Sequence, residues 1–108
     1  MDTTVATTIL QQLGGRLFTA MTGAKTLVAH PAALSFRLPG TPGFVKNGIN
    51  YVKVQLNAED TYDVTFVRLR GVNFVVVHES KSVYFDQLQE LFTRHTGLAT
   101  SLGTMGVR

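Results

Sequence analysis

The residues able to do chemistry in this sequence are few and widely separated. Its three histidines, His30, His78 and His95, match no HxH, HExxH or histidine–carboxylate spacing of the kind that gathers a zinc ion. Each has an ordinary structural setting instead. His30 precedes Pro31 in a turn, and His78 closes an apolar run. His95 falls at the end of a helical pattern, where the helix dipole favours a cationic imidazole. Glu59, Asp60 and Asp63 cluster, but paired carboxylates act as acid and base only where one is desolvated. A polar hairpin tip keeps them wet, and their spacing is not that of an EF-hand loop. Gly23-Ala24-Lys25-Thr26 echoes the end of a P-loop, yet the upstream glycine stands at Gly15 and no long helix follows. Neither a GxSxG nucleophile turn nor a strand-GxGxxG-helix unit occurs. Cysteine is absent, which excludes thiolate catalysis, thiolate zinc sites and disulfides and fits a reducing compartment. The chain is therefore expected to be non-enzymatic, with no metal and no cofactor.

Charge is the remaining chemical signal. The formal net charge is +3 and the pI about 9.6. Residues 16–70 carry Arg16, Lys25, Arg37, Lys46, Lys53, Arg68 and Arg70 against Glu59, Asp60 and Asp63. A basic central segment suits a polyanion, and it equally suits the solvent side of protected strands. Parity sharpens the choice. With Val52, Val54 and Leu56 pointing to the core, Tyr51, Lys53 and Gln55 point away from it, and Arg37 does so opposite Leu34, Phe36 and Leu38. Cations beside a ring such as Tyr51 could hold phosphates and stack a base. Lys46 stands at the adjoining turn, and Arg68 and Arg70 close the next strand. Arg68 shares the parity of Tyr62, Val64 and Phe66, so without a bulge it belongs to the covered side or its rim.

These side chains must be positioned by a small fold. At 108 residues the chain suits one domain, expected over residues 1–97 with a partly ordered tail over 98–108. Residues 2–13 read as a short helix on the spacing of Val5, Ile9 and Leu13, with Asp2 or Thr3 as cap and Gly14-Gly15 as stop. Residues 16–22 read as a buried strand or a continuing helical turn, and strand is the preferred reading. A hairpin follows around His30-Pro31-Ala32, then a loop at Pro39-Gly40-Thr41-Pro42-Gly43. Asn47-Gly48 is a strong hairpin signal. Val52, Val54 and Leu56, then Tyr62, Val64 and Phe66, alternate with polar residues across the turn at Asn57–Asp60. Phe74 to His78 is apolar on both faces, as in a central or covered strand. Short turns force antiparallel pairing. Residues 82–96 form an amphipathic helix from Ser82, with Tyr84, Phe85, Leu88, Leu91, Phe92 and His95 on one face. Leu98 and Leu102 are expected to pack back on the domain. The fold class is α+β: an antiparallel meander of about 4–6 strands, with the C-terminal helix on one face and a short N-terminal helix.

Several segments carry a resemblance: MTGAK (residues 21–25), LSFRLPG (34–40), KNGINYVKVQLN (46–57), TYDVTFVRLRG (61–71) and DQLQELFTRHTGLATSL (86–102). Together they are similar to small uncharacterised proteins of tailed bacteriophages and prophages. That group has no defined activity, so no functional residue is carried over. The resemblance implies a phage-encoded protein acting in the cytoplasm of an infected bacterium. The N-terminus lacks the basic and apolar regions of a signal peptide, and the run Phe74-Val75-Val76-Val77 is too short to cross a bilayer. The expected function is nucleic-acid binding through the exposed sheet face, to DNA or RNA, by Arg37, Lys46, Tyr51, Lys53, Arg68 and Arg70. The alternative is a protein–protein module, either a homo-oligomer or a host-directed inhibitor, adaptor or assembly factor. It is motivated by a charged content of only 16% and by the edge at Leu27–Ala29. Membrane and small-molecule cofactor are not among the expected partners.

Overall fold

A computed structural model of the chain describes residues 3–40, 43, 45–98 and 100. Apolar spacing decides its first element. Ala6, Ile9 and Leu13 are buried along α1 (Thr4–Leu13), and Gly14 at φ 128° ends it. Thr3 takes the cap position without a side-chain bond, and Asp2 lies outside the described residues. The chain then turns directly into a second helix, α2 (Gly15–Thr22), where the pattern suggested a strand. The reason is visible in its contacts. Phe18 and Thr22 are buried four residues apart, and the Thr19 and Thr22 hydroxyls donate to the Arg16 and Phe18 carbonyls at 2.9 and 2.7 Å. Those bonds satisfy hydroxyls that would otherwise be left in or near the core, and burial of one face, led by Phe18, outweighs the low helix propensity of threonine.

The strands are β1 (Lys25–His30), β2 (Ala33–Arg37), β3 (Tyr51–Leu56), β4 (Tyr62–Arg70) and β5 (Asn73–Val83). They form one five-stranded antiparallel sheet in the order β1-β2-β3-β4-β5, the expected meander. Two boundaries differ from the pattern. Asn47 and Gly48 do take positive φ, 58° and 70°, but in a 3-10 turn within the long β2–β3 connection, not at a tight hairpin. Of the loop at residues 39–43, only Pro39, Gly40 and Gly43 lie within the described residues.

The second difference concerns β5, which continues through Ser82 to Val83 and so removes Ser82 as a helix cap. Helical structure starts with a 3-10 turn at Phe85–Gln87, and α3 runs Leu88–Thr96. The Tyr84 amide donates to Gln87 Oε1 at 3.1 Å, closing that start. Tyr84 and Phe85, expected on the buried stripe, are exposed, whereas Leu88 and Phe92 are fully covered. Burying each of those two is worth about 1.5–3 kcal/mol.

The helices share one face of the sheet. Phe18 of α2 meets Phe36 of β2 and Phe92 of α3 edge-on, with centroids 5.3 and 5.2 Å apart. Around this trio pack Leu34, Val52, Val54, Val64 and Phe66 from the sheet and Ile9 and Leu13 from α1. Polar ties close the seams: Tyr62 Oη donates to Gln12 Oε1 at 2.6 Å, and Gln89 Nε2 to the Gln12 carbonyl at 3.1 Å. Burial pushes the Tyr62 phenol above its ordinary pKa. Leu98 is buried as expected; Leu102 lies outside the described residues. The chain is an α+β protein, and no described helix is long and apolar enough to cross a membrane.

Candidate nucleic-acid interface

Strand register fixes which side chains share the uncovered face. Lys25 pairs with Arg37, Arg37 with Tyr51, Tyr51 with Val67, and Val67 with Val76. That single row crosses all five strands. The next row holds Val28, Ser35, Lys53, Thr65 and Glu79. Arg37, Tyr51 and Lys53 therefore lie on one face, as parity predicts. Phe74, opposite Leu69, adds a second ring to it, with centroids 6.4 Å from Tyr51 and planes inclined at 59°.

Phe74 and Val76 are 59% and 50% exposed, which corrects the expectation that this segment is central or covered. β5 is an edge strand, and the described helices all pack on the other face. An apolar run signals burial only when something covers it. Here residues 74–76 meet solvent.

The remaining candidate cations fall on the opposite side. The two irregularities between β4 and β5 both put the extra residue on β5, at residues 81–82 and at Val77, so β4 keeps its alternation and Arg68 stays on the side of Phe66. There Lys46, Arg68 and Arg70 surround Asn47-Gly48. Arg68 Nη1 donates to the Asn47 carbonyl at 3.3 Å, and a Cβ on Gly48 would lie 3.1 Å from Arg68 Cδ and 3.5 Å from Arg70 Nη2. Lys46 Nζ donates to the Arg94 carbonyl at 3.3 Å, so it caps the negative end of α3. The six candidates thus divide between two faces.

They converge along the other axis of the sheet. In a meander, the start of β1, the end of β2, the start of β3, the end of β4 and the start of β5 all lie at the same end. Lys25, Arg37, Lys46, Arg68 and Arg70 occupy that end. The described residues of 37–51 and 67–76, which form much of it, include no Asp or Glu. Glu59, Asp60 and Asp63 lie at the opposite end, roughly 20 Å away at the rise of a strand. Among the described residues the one ion pair, Glu90 with Arg94 at 3.3 Å, is elsewhere on α3. The Asn50 side chain also works at the basic end. It donates to the Leu69 carbonyl at 2.9 Å and accepts from the Leu69 amide at 2.8 Å, extending the pairing beyond β3. Beside it a cavity of about 420 Å³ opens between Arg70, Gly48, Ile49 and Pro39.

Comparison of the chain with family models, with curated proteins and with solved structures finds no match. The site is therefore read from its own chemistry.

Two contributors escaped the sequence reading of the site. Lys25 and Phe74 stand beside Arg37 and Tyr51 only because of register, which spacing along the chain does not reveal. One signal was available: residues 3–58 contain no Asp or Glu while holding Arg16, Lys25, Arg37, Lys46 and Lys53. The histidines also converge in part. His78 and His95 stack with centroids 3.9 Å apart beneath Phe66, and His78 Nε2 lies 2.8 Å from Ser80 Oγ. His30 is apart from them, 3.0 Å from Ser35 Oγ. Stacked rings do not aim their lone pairs at one point, and no described group of three or more His, Asp or Glu could hold a metal ion.

Proposed function

We propose that this protein is a non-enzymatic, phage-type binding module that holds the backbone of a nucleic acid at the basic end of its sheet. The observation that carries this reading is the gathering of Lys25, Arg37, Lys46, Arg68 and Arg70 at one end, in segments without a carboxylate. Opposed carboxylates would neutralise such a cluster; here they stand at the far end. Phosphates spaced along a strand suit cations spread over two faces of one edge better than a single compact anion does. Lys46 contributes through position more than free charge, since its ammonium already serves α3. The resemblance to small phage proteins is in keeping with a role in the bacterial cytoplasm.

Fluorescence anisotropy with labelled oligonucleotides at two salt concentrations tests the reading. Binding should weaken steeply with salt. Arg37→Ala and Arg70→Ala should each lower the slope of log affinity against log salt by about 0.7–0.9. No binding at low salt, or binding indifferent to salt, overturns it.

A second reading has its own observation. Tyr84 and Phe85, 60% and 61% exposed, sit together at the entry to α3, and such a pair suits a protein partner. In that case Phe85→Ser would abolish self-association in light scattering or capture of a host protein.

A further inference from the structure

We infer that the ligand of the uncovered face is unpaired nucleic acid, with Phe74 and Tyr51 as the platform on which bases stack. The inference rests on the nucleic-acid reading above and names the strandedness that reading leaves open.

The rings lie directly beside the cations. Arg37 is the register neighbour of Tyr51, Lys25 of Arg37, and Phe74 stands within ring contact of Tyr51. At 59° the two rings are tilted and not stacked on each other, and Phe74 remains more than half exposed. Val67, wholly buried between Tyr51 and Val76, gives this part of the face an apolar floor.

A duplex has little use for such a surface. It hides its base faces by stacking and presents phosphates and sugars to a broad sheet. Phe74 and Val76 would then be dehydrated against charge. An unpaired strand instead offers apolar π-faces beside its phosphates, which matches a pair of rings flanked on one side by Arg37 and Lys25. A second copy of this chain fits less well. A two-fold contact centred on Tyr51 and Phe74 would gather Lys25 and Arg37 of both copies into one interface, with Glu79 the one carboxylate of the adjacent row to offset them.

Anisotropy with the full chain separates these cases. The probes are a labelled oligothymidine, an oligouridine of equal length and a duplex of matched length. Single strands should bind at least about tenfold tighter than duplex. Phe74→Ala should remove about tenfold of single-strand affinity, leaving duplex affinity and the salt slope unchanged. Phe74→Leu keeps apolar area without a π-face and should lose as much as alanine. The oligothymidine and oligouridine arms distinguish DNA from RNA as the source of the unpaired strand.

Equal or tighter duplex binding overturns the inference while sparing the backbone-binding reading. So does full rescue by leucine, or loss of affinity for both ligands alike. No binding to any probe overturns both. A free protein that is dimeric by light scattering and monomeric after Phe74→Ala assigns the patch to a second copy, and that also overturns it. Phe74 is exposed, so its variants should fold, and circular dichroism verifies this.

Discussion

At His95 the helix dipole and the local surroundings act in opposite directions. The C-terminus of α3 favours a cation, as the pattern of the helix suggests. Yet the ring is stacked on His78, tilted against Phe66 and close to Arg94 and Lys46. Burial lowers its pKa below the ordinary 6.5, and repulsion from His78, Arg94 and Lys46 adds to the effect. The unfolded chain therefore binds this proton more readily than the folded one. It follows that neutral His95 contributes its full stability above about pH 6.5 and loses it as pH falls through the folded value. Urea denaturation midpoints should decline over that range, and His95→Gln should flatten the decline. A midpoint with the same pH dependence in the variant would contradict this. Sequence spacing gave each histidine its element but not its neighbour. Stacking depends on β5 and α3 meeting over Phe66, and no local pattern encodes that distance.

Among the elements, α2 shows where local reading fails and what replaces it. RLFTAMT alternates well enough for a strand, and only the burial of Phe18 and Thr22 on one side selects a helix. Its exit is narrow. Gly23 adopts φ 73° as the cap of α2, and a Cβ there would meet Pro39 Cγ at 2.8 Å. Gly23→Ala should cost about 1–2 kcal/mol from the left-handed backbone alone, with the Pro39 contact adding to it. Urea unfolding measures the loss; an unchanged midpoint would mean the junction relaxes freely. The strands were far more legible. Val52, Val54 and Leu56 and then Tyr62, Val64 and Phe66 take the core side as their alternation requires. β5 was misread because no polar residue among Phe74, Val75 and Val76 marks the open face on which Phe74 and Val76 lie. The start of α3 was misread because Tyr84 and Phe85 have helical spacing but precede the element that buries its stripe.

For the whole molecule, what matters is how the meander sorts charge along its strands. Basic residues that look scattered in the chain, from Lys25 to Arg70, meet at one end because successive strands reverse direction. The acid-free stretch of residues 3–58 was plain in the sequence; the convergence required the strand order. Parity correctly divided the cations between faces, and it was the wrong axis on which to look for a common site. Such sorting gives the molecule an electric dipole moment along its strands, beyond what a net charge of +3 conveys. Near a polyanion that moment exerts a torque, so the protein arrives already turned, basic end first. Arrival and departure should then respond to salt differently. In stopped-flow mixing, added salt should slow association much more than it speeds dissociation, and Lys25→Glu with Arg37→Glu should remove most of that sensitivity. Salt acting only on dissociation would show that orientation is found after contact. The fold would then act as a compass needle in name alone.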